Sequence, residues 1–583
     1  MVSSTTLLPR PPFWTAKTIW TLIAVAVIAL SAYQAGLGQG TGEVINWGGW
    51  PQLKEFMGAS LSPDLSPDFL AIIGRATLVT LAYAVVGTGL SIALGLIGGI
   101  LSAEIWWQTL CPLRHRWSWV GTGLWLGCRS LLAVPRAIHE LIWGLVLLQI
   151  LGLDPLVAVL AIAIPFGAIV AKVFSEILDE TSHEPLQALL TAGTPPLTAL
   201  LYGLLPLALP NLLSYTFYRF ECSLRSAAVL GIIGAGGLGY EIFLSLQSLR
   251  YDQLWTGFYA LVLLNGVVDA WSALVRRRMG FTSRLDLNLK PTMPGPETPA
   301  VAPSPARPPS PSWFLRLSWL GAVAALPVAA GFLQLNGRIL WAPRTRQLFH
   351  ALMVTARPQV PSIEELGILL HLAYLTLTMS VLAIAIAASG GILVSLPAAQ
   401  TLVLPAGLLR PLGERSNRLP WVGYALLGGS RLVLLVSRAI PAPIWALVLL
   451  FVLFPGVLPG ALALGLHNFG ILGRLMAEVN ENLDDRPVRA LRSLGSPPAQ
   501  LVLYGILPQN LARFLAYGLY RWEVCLRETV IVGLVGAGGL GRLLTEQVSS
   551  FDYGGVVITL GVFVGLTLGI DLVSSRMRQA LRA

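Results

Sequence analysis

The sequence predicts an all-α polytopic membrane protein built from two parallel six-helix modules, about 12 transmembrane helices in all. Three observations predict it. Only 12% of the 583 residues are charged while 55% are hydrophobic, where a soluble domain carries about a quarter charged. The apolar residues come in runs such as Thr18–Ala35, Thr77–Leu101 and Tyr553–Val573, long enough for the ~20 residues that cross a ~30 Å hydrocarbon core. Finally, the chain repeats itself. At an offset of 302, Tyr218–Gly239 and Tyr520–Gly541 are identical at 12 of 22 positions, and Pro185–Pro206 and Pro487–Pro508 at 11 of 22. The same offset pairs Asp269 with Asp571 and Arg276 with Arg578.

The elements follow from these runs. In the first module, residues 1–280, spans are expected near 18–35, 77–101, 120–151 with a break near Pro135, 156–175, 201–230 and 254–275. In the second, residues 313–583, they fall near 315–335, 369–396, 421–454, 457–476, 503–532 and 554–573. The first run could pass for a signal peptide, but Leu315–Leu335 has the same character in mid-chain, so both read as spans. Residues 281–312 hold nine prolines between Pro291 and Pro311 and predict an extended, exposed linker.

Six is an even number, so both modules face the same way. The arginines at 114, 116, 276–278, 284, 410, 415, 418, 576, 578 and 582 fall on one side, which the positive-inside rule makes cytoplasmic. Both termini and the linker are then cytoplasmic. Arg338, Arg344, Arg346 and Arg357 break the pattern on the outer side. The basic excess, 39 Lys and Arg against 29 Asp and Glu, reports this topology before any anionic partner, and nucleic acid is not expected. Four cysteines without paired spacing, Cys111, Cys128, Cys222 and Cys525, suggest neither a disulfide framework nor a metal site.

Between spans four and five of each module lies a short polar helix ended by Gly and Pro, Ser182–Pro196 and Asp484–Pro498. Ala188 precedes Gly193 by five residues, as Ala490 precedes Gly495, and Leu205-Pro206 and Leu507-Pro508 follow. This spacing resembles the coupling-loop signature of ABC importer permeases, EAA, three residues, G, nine residues, I-x-LP. The resemblance implies that Glu184, Gln187, Ala188, Gly193 and Pro195, with Arg489, Ala490, Gly495 and Pro497, form loops that dock in cytoplasmic ATPase subunits. The signature's Glu is replaced by Gln187 and Arg489, and its Ile by Gly203 and Gly505.

A second resemblance narrows the family. Tyr218, Arg219, Glu221, Arg225 and Gly234–Gly239, repeated as Tyr520, Arg521, Glu523, Arg527 and Gly536–Gly541, look like the permeases of phosphonate and phosphite importers. So do Arg438-Ala439-Ile440-Pro441 and His467–Glu478; the first module departs with His139 and Pro165 at the matching places. Such a chain is expected to have the fold of a type I ABC importer permease in a bacterial inner membrane. It would move a phosphonate, phosphite or hypophosphite by alternating access. The partners implied are two ABC ATPase subunits, which carry the ATP and Mg, and an extracytoplasmic solute-binding protein. No cofactor is expected in this chain itself. Importers of another small solute, such as an amino acid, and ion-coupled secondary carriers are the alternatives.

Ionisable residues inside spans generally face protein or water, since exposure to lipid costs at least ~2.5–3.5 kcal/mol. Arg129 and Arg136 share a helix face at a spacing of seven, and Arg431 and Arg438 repeat them. With Arg225 and Arg527 they are the candidate anion pathway; the alternative for the first four is that they sit at span ends and snorkel to the headgroups or fix helix packing. Glu221 with Arg225, and Glu523 with Arg527, have the spacing of intrahelical ion pairs, read as a gate or as a brace before the glycines. Gly234, Gly236, Gly237 and Gly239, with Gly536, Gly538, Gly539 and Gly541, lack the Lys-Ser or Lys-Thr of a phosphate loop. They predict a tight turn with close backbone approach. His139 and Glu140 have no counterpart in the second module and read as packing. No catalytic or metal constellation is present.

Overall fold

The computed structural model describes residues 16–36, 45–110, 118–278, 313–358, 360–404, 407–409 and 420–582. The linker at 281–312 and the arginines at 114, 116, 284, 410, 415 and 418 lie outside them, as does Cys111. Among the described residues the architecture is helical, twelve helices to each module.

Module one holds α1 Ala16–Gln34, α2 Trp50–Ala59, α3 Pro67–Ser102, α4 Glu104–Leu110, α5 Ser118–Ala137, α6 Glu140–Leu151, α7 Pro155–Glu180, α8 Glu184–Thr191, α9 Pro196–Ala199, α10 Leu205–Leu230, α11 Leu238–Gln247 and α12 Tyr251–Arg278. Module two answers helix for helix: α13 Trp313–Phe332, α14 Pro343–Thr355, α15 Ile363–Ala398, α16 Gln400–Val403, α17 Pro420–Ala439, α18 Ala442–Leu449, α19 Val457–Glu481, α20 Arg486–Ser493, α21 Pro498–Gln500, α22 Leu507–Val532, α23 Gly539–Ser549 and α24 Tyr553–Arg582. The long second spans, α3 and α15, are both 36 residues and stand 296 apart. The offset of 302 is reached only after them.

Among the described residues seven helices are long and apolar enough to cross a membrane, eight if α5 and α6 form one bent span. The polar side chains of α19 and α22, among them His467, Asn468, Arg521 and Glu528, hold both outside that set; these two helices line the molecule's interior. α5 and α6 meet at 84°. The break falls at His139, which caps α6 through Nδ1 accepting from the Leu141 amide at 3.2 Å, four residues past the expected Pro135. Asp154 caps α7 in the same way, 2.8 Å from the Leu156 amide, and a Ser362–Glu365 capping box starts α15. Outside the spans, the Ser66 amide and Gln253 hold the Asp64 carboxyl below the usual carboxylate range and tie that loop to α12.

In each module the second span packs along the fourth, α3 on α7 and α15 on α19. A Cβ on Gly95 would lie 2.3 Å from Val170 Cγ1, so small residues set this approach as they do between helices in lipid. The modules also exchange helices. Ile142 of α6 is buried in module two's core with Val530 and Phe563. Its counterpart, Ile444 of α18, is buried in module one's core with Phe258 and Leu261. Each module thus completes the other's hydrophobic core, and α10 and α22 are brought together at the pseudo-twofold axis.

Candidate functional site: an arginine-lined axis and two exposed helices

Three kinds of ion pair recur in both modules. Arg129 Nη2 meets Asp179 at 3.5 Å and its Nε donates to the Ser102 carbonyl; Arg431 Nη2 meets Glu481 at 2.5 Å and its Nε donates to the Ala398 carbonyl. Glu221 takes Arg276 Nη1 at 3.5 Å, and Glu523 takes Arg578 Nη1 at 2.6 Å. Ser272 and Ser574 accept from the same two guanidiniums. The third kind crosses between modules: Arg136 Nη2 meets Asp571 at 3.2 Å, and Arg438 pairs with Asp269.

The candidate pathway set is therefore divided. Arg129, Arg136, Arg431 and Arg438 are each engaged by a carboxylate, whereas Arg225 and Arg527 face an internal cavity. The i, i+4 side-chain pair expected in α22 does not form. Arg527 Nε reaches the Glu523 backbone carbonyl at 3.4 Å, and its Nη1 donates to the Arg136 carbonyl at 2.8 Å. In α10, Arg225 Nη2 lies 3.4 Å from Cys222 Sγ. The reason is that α12 and α24 lay an arginine and a serine against each carboxylate, leaving the arginine one turn on to the axis.

The cavity holds about 100 Å3, several times the ~10–15 Å3 that one water needs. Arg219, Arg225, Arg521, Arg527, Tyr218 and Tyr520 line it, and Glu140 and Glu528 also reach it. A second cavity of about 190 Å3 shares Tyr218, Tyr520, Arg521 and Arg527 with the first and adds Arg136 and Asp571. A third, wider space shares Lys172, Glu176 and Asp571 with the second. The three adjoin in series along the axis and run toward the end of α7 that leads into α8. An arginine-lined passage of this kind favours anions, because guanidinium stays charged and matches planar or tetrahedral oxygens.

Sequence reading placed Arg219 and Arg521 only within a resemblance and left Glu528, Asn468 and His467 without a role. Arg521 donates Nε and Nη2 to Asn468 Oδ1 at 2.8 and 2.5 Å and Nη2 to Glu528 Oε1 at 3.0 Å. An arginine repeated at the offset, in mid-span and six residues before a second arginine, was the available signal. His139 and Glu140, read as packing, do cap α6 and accept from Ser226 Oγ at 2.6 Å, but both also reach the cavity wall. Among the described residues no group of three or more His, Cys, Asp or Glu could hold a metal ion.

The coupling-loop residues lie on α8, α20 and the turns after them. Glu184, Gln187, Ala188, Gly193 and Pro195 are exposed, as are Arg489, Ala490, Gly495 and Pro497. One side chain in each helix is fully buried, Leu186 and Val488, against Leu200 and Leu204 and against Leu501 and Ile506. Gly203 and Gly505, which replace the signature's Ile, make room for that seat, since a Cβ on Gly203 would come within 3.1 Å of the Leu186 backbone. Tyr202 and Tyr504 beside the two helices are 77% and 72% exposed. The glycine-rich segments form the expected turns, with φ +96° at Gly234 and +100° at Gly536. The amides of Leu238 and Leu540 then donate to Thr80 and Thr376 at 2.8 and 2.9 Å, clamping each turn to α3 and α15.

This arrangement of duplicated helices around a polar axis is that of a membrane transport component. The family of binding-protein-dependent transport system inner membrane components matches the chain twice, at residues 124–281 and 422–582, and the chain belongs to that family. It is therefore a multi-pass ABC transporter permease, a transport subunit rather than an enzyme, with two permease modules fused in tandem. It is 27% identical over 515 residues to the phosphate-import permease protein PhnE of Mycolicibacterium smegmatis, an alignment covering 88% of this chain and 86% of that one. It is 35% identical over 154 residues to the phosphite transport system permease protein PtxC of Stutzerimonas stutzeri, 26% of this chain and 56% of that one. No solved structure matches this chain.

Proposed function

We propose that this chain supplies both halves of the translocation pathway of an ABC importer for a small phosphorus oxyanion: phosphate, phosphite, hypophosphite or a phosphonate. Two cytoplasmic ATPase subunits dock on α8 and α20, one on each, and an extracytoplasmic binding protein delivers the anion to the opposite face. The closing of the ATPases, which carry ATP and Mg, moves the two seated helices and alternates access through the axis. Residues 1–280 and 313–583 act as the two modules, joined by the linker at 281–312. Both termini lie on the ATPase side of a bacterial inner membrane.

The observation that carries this reading is the position of two matched, exposed helices at the end of the molecule toward which the arginine-lined cavities run. A seat fixed by one buried side chain, Leu186 or Val488, moves as a lever without unfolding. The relatives' names, phosphate import and phosphite transport, supply the substrate class, and guanidinium chemistry on the axis agrees with it.

The test is to purify the chain in mild detergent from its native membranes and to assay uptake of radiolabelled phosphate and phosphite by the reconstituted assembly. An ABC ATPase recovered at about two per chain, with ATP-dependent uptake, is the expected result. Repeated absence of an ATPase from folded chain, with uptake driven by an ion gradient, would establish a secondary carrier instead.

A further inference from the structure

The twofold pattern of the arginines fails at one point. In module two, Arg521 sits in a closed network: Asn468 Oδ1 accepts from it twice, Glu528 Oε1 accepts from it once, and Asn468 Nδ2 donates to Glu528 Oε2 at 2.9 Å. The residues 302 positions earlier are Phe166 and Ser226. Arg219, the counterpart of Arg521, stacks over the Phe166 ring, its Cζ 4.0 Å from the centroid. Ser226 turns its hydroxyl to Glu140 instead. Arg219 is 93% buried, being 7% exposed, and among the described residues its Nε and Nη2 find no hydrogen-bond acceptor.

A buried guanidinium without an acceptor is a costly feature for a fold to keep. It is also aimed at space, since Arg219 lines the axial cavity of about 100 Å3. Its neighbours there are uncommitted too. Among the described contacts Arg225 has the Cys222 thiol and Arg527 has backbone carbonyls, but neither has a carboxylate within ion-pair distance. Four arginines against two glutamates line the wall, and both glutamates already accept hydrogen bonds, Glu528 from Arg521 and Asn468 and Glu140 from Ser226.

The geometry points to an oxyanion-binding site inside the membrane, in this cavity, centred on Arg219 of module one and taking one small tetrahedral anion such as phosphate or phosphite. The inference rests on the phosphorus-oxyanion reading above and deepens it by placing a substrate site within the permease. The anion's oxygens accept from the two unsatisfied N–H groups of Arg219, whose planar fork suits two oxygens of one ligand. Arg225, Arg527 and the tyrosine hydroxyls of Tyr218 and Tyr520 line the rest of the wall. Chloride offers that fork one acceptor centre, where a tetrahedral oxyanion offers it two oxygens and has others left for the rest of the wall. The site is single because module two has filled its equivalent: Glu528 is the carboxylate that occupies, for Arg521, the role the anion takes for Arg219.

Binding is measured on the whole chain in lipid nanodiscs, by equilibrium dialysis with radiolabelled inorganic phosphate in a chloride buffer. Saturable binding of one phosphate per chain, displaced by phosphite, is expected. Arg219→Met should weaken it at least tenfold without lowering the thermal midpoint, since it removes an unpaired cation. Phe166→Asn combined with Ser226→Glu transplants the module-two network and keeps Arg219; it should weaken binding as much, and it decides the matter if Arg219→Met does not fold. Wild-type affinity in either folded variant, or no saturable binding by wild type at millimolar phosphate, overturns the site. Uptake by the intact transporter separates the two readings. Phosphorus-oxyanion uptake that Arg219→Met leaves unchanged removes the site and keeps the function. Arg219-dependent phosphate binding in a chain whose complex carries no phosphorus oxyanion removes the function and keeps the site.

Discussion

The two modules share a plan of twelve helices, yet they treat the same buried arginine in opposite ways. Arg521 is held by Asn468 and Glu528, while Arg219 rests on Phe166 with two unsatisfied N–H groups. Elsewhere the duplication keeps its partners: Arg129 with Asp179 and Arg431 with Glu481, Glu221 with Arg276 and Glu523 with Arg578. These ion pairs were thus retained in both modules, while the wall of the cavity diverged. A tandem chain permits this, because each half can change without changing the other.

The largest test of that contrast removes the acid from each side of the axis. Glu528→Gln leaves Arg521 buried beside a neutral amide, and breaking a buried charge pair in this way costs ~3–5 kcal/mol. The thermal midpoint of the purified chain should fall steeply. Glu140→Gln gives up only hydrogen bonding to Ser226 and the neighbouring His139, a loss of ~1–3 kcal/mol, so its midpoint should fall less. Equal falls would mean that the two modules satisfy their arginines alike.

A smaller effect is expected from the ion pairs that cross between modules. Arg136 and Asp571 are 20% and 25% exposed at their side chains, and Arg438 and Asp269 16% and 17%, so each pair is partly screened. Arg136→Gln and Arg438→Gln should each lower stability by ~1.5–3 kcal/mol, the range for hydrogen bonds to charged groups. Exchanging the charges, as Arg438→Asp with Asp269→Arg, should recover most of the loss. Matching values for the two sites would show that the twofold symmetry is energetic as well as geometric. Recovery that fails at one site would mark that pair as part of the moving gate, and transport measured alongside would fall there alone.

Much of the scaffold was legible because duplication writes it twice. The offset of 302 located the coupling helices, the glycine turns and the paired arginines, and apolar run length located the spans. The partners of those arginines were not legible. Glu221 meets an arginine 55 residues on, and Arg136 meets an aspartate 435 residues on in the other module; periodicity along one helix cannot reach that far. The i, i+4 spacing of Glu523 and Arg527 was therefore misleading, since a neighbouring helix presents a better-placed guanidinium in Arg578. Arg219 was missed for a different reason. Its significance lies in what is absent around it, and Phe166 and Ser226 are unremarkable residues until they are set beside Asn468 and Glu528.

The coupling helices give the smallest expected effect on stability and the sharpest separation of stability from function. Gly193 and Gly495 hold φ near +85° and +80°, and nothing lies within 4 Å of a Cβ built on either. An alanine there meets strain but no clash, ~1–2 kcal/mol for a left-handed conformation, and should lower ATP-driven uptake by shifting the turn that seats the helix. Arg489→Gln goes further. Its ion pair with Asp485 is exposed, 70% and 40% at the two side chains, and such i, i+4 pairs contribute only ~0.3–0.5 kcal/mol. The folded chain should be indifferent to the change. If α20 meets an ATPase through the position where the signature carries glutamate, ATPase retention and uptake should nonetheless change with Arg489→Gln, and the matching Gln187→Arg in α8 should change them too. Retention unaffected by either substitution would place the contact on Tyr202 and Tyr504 instead, the exposed aromatic pair that both modules keep.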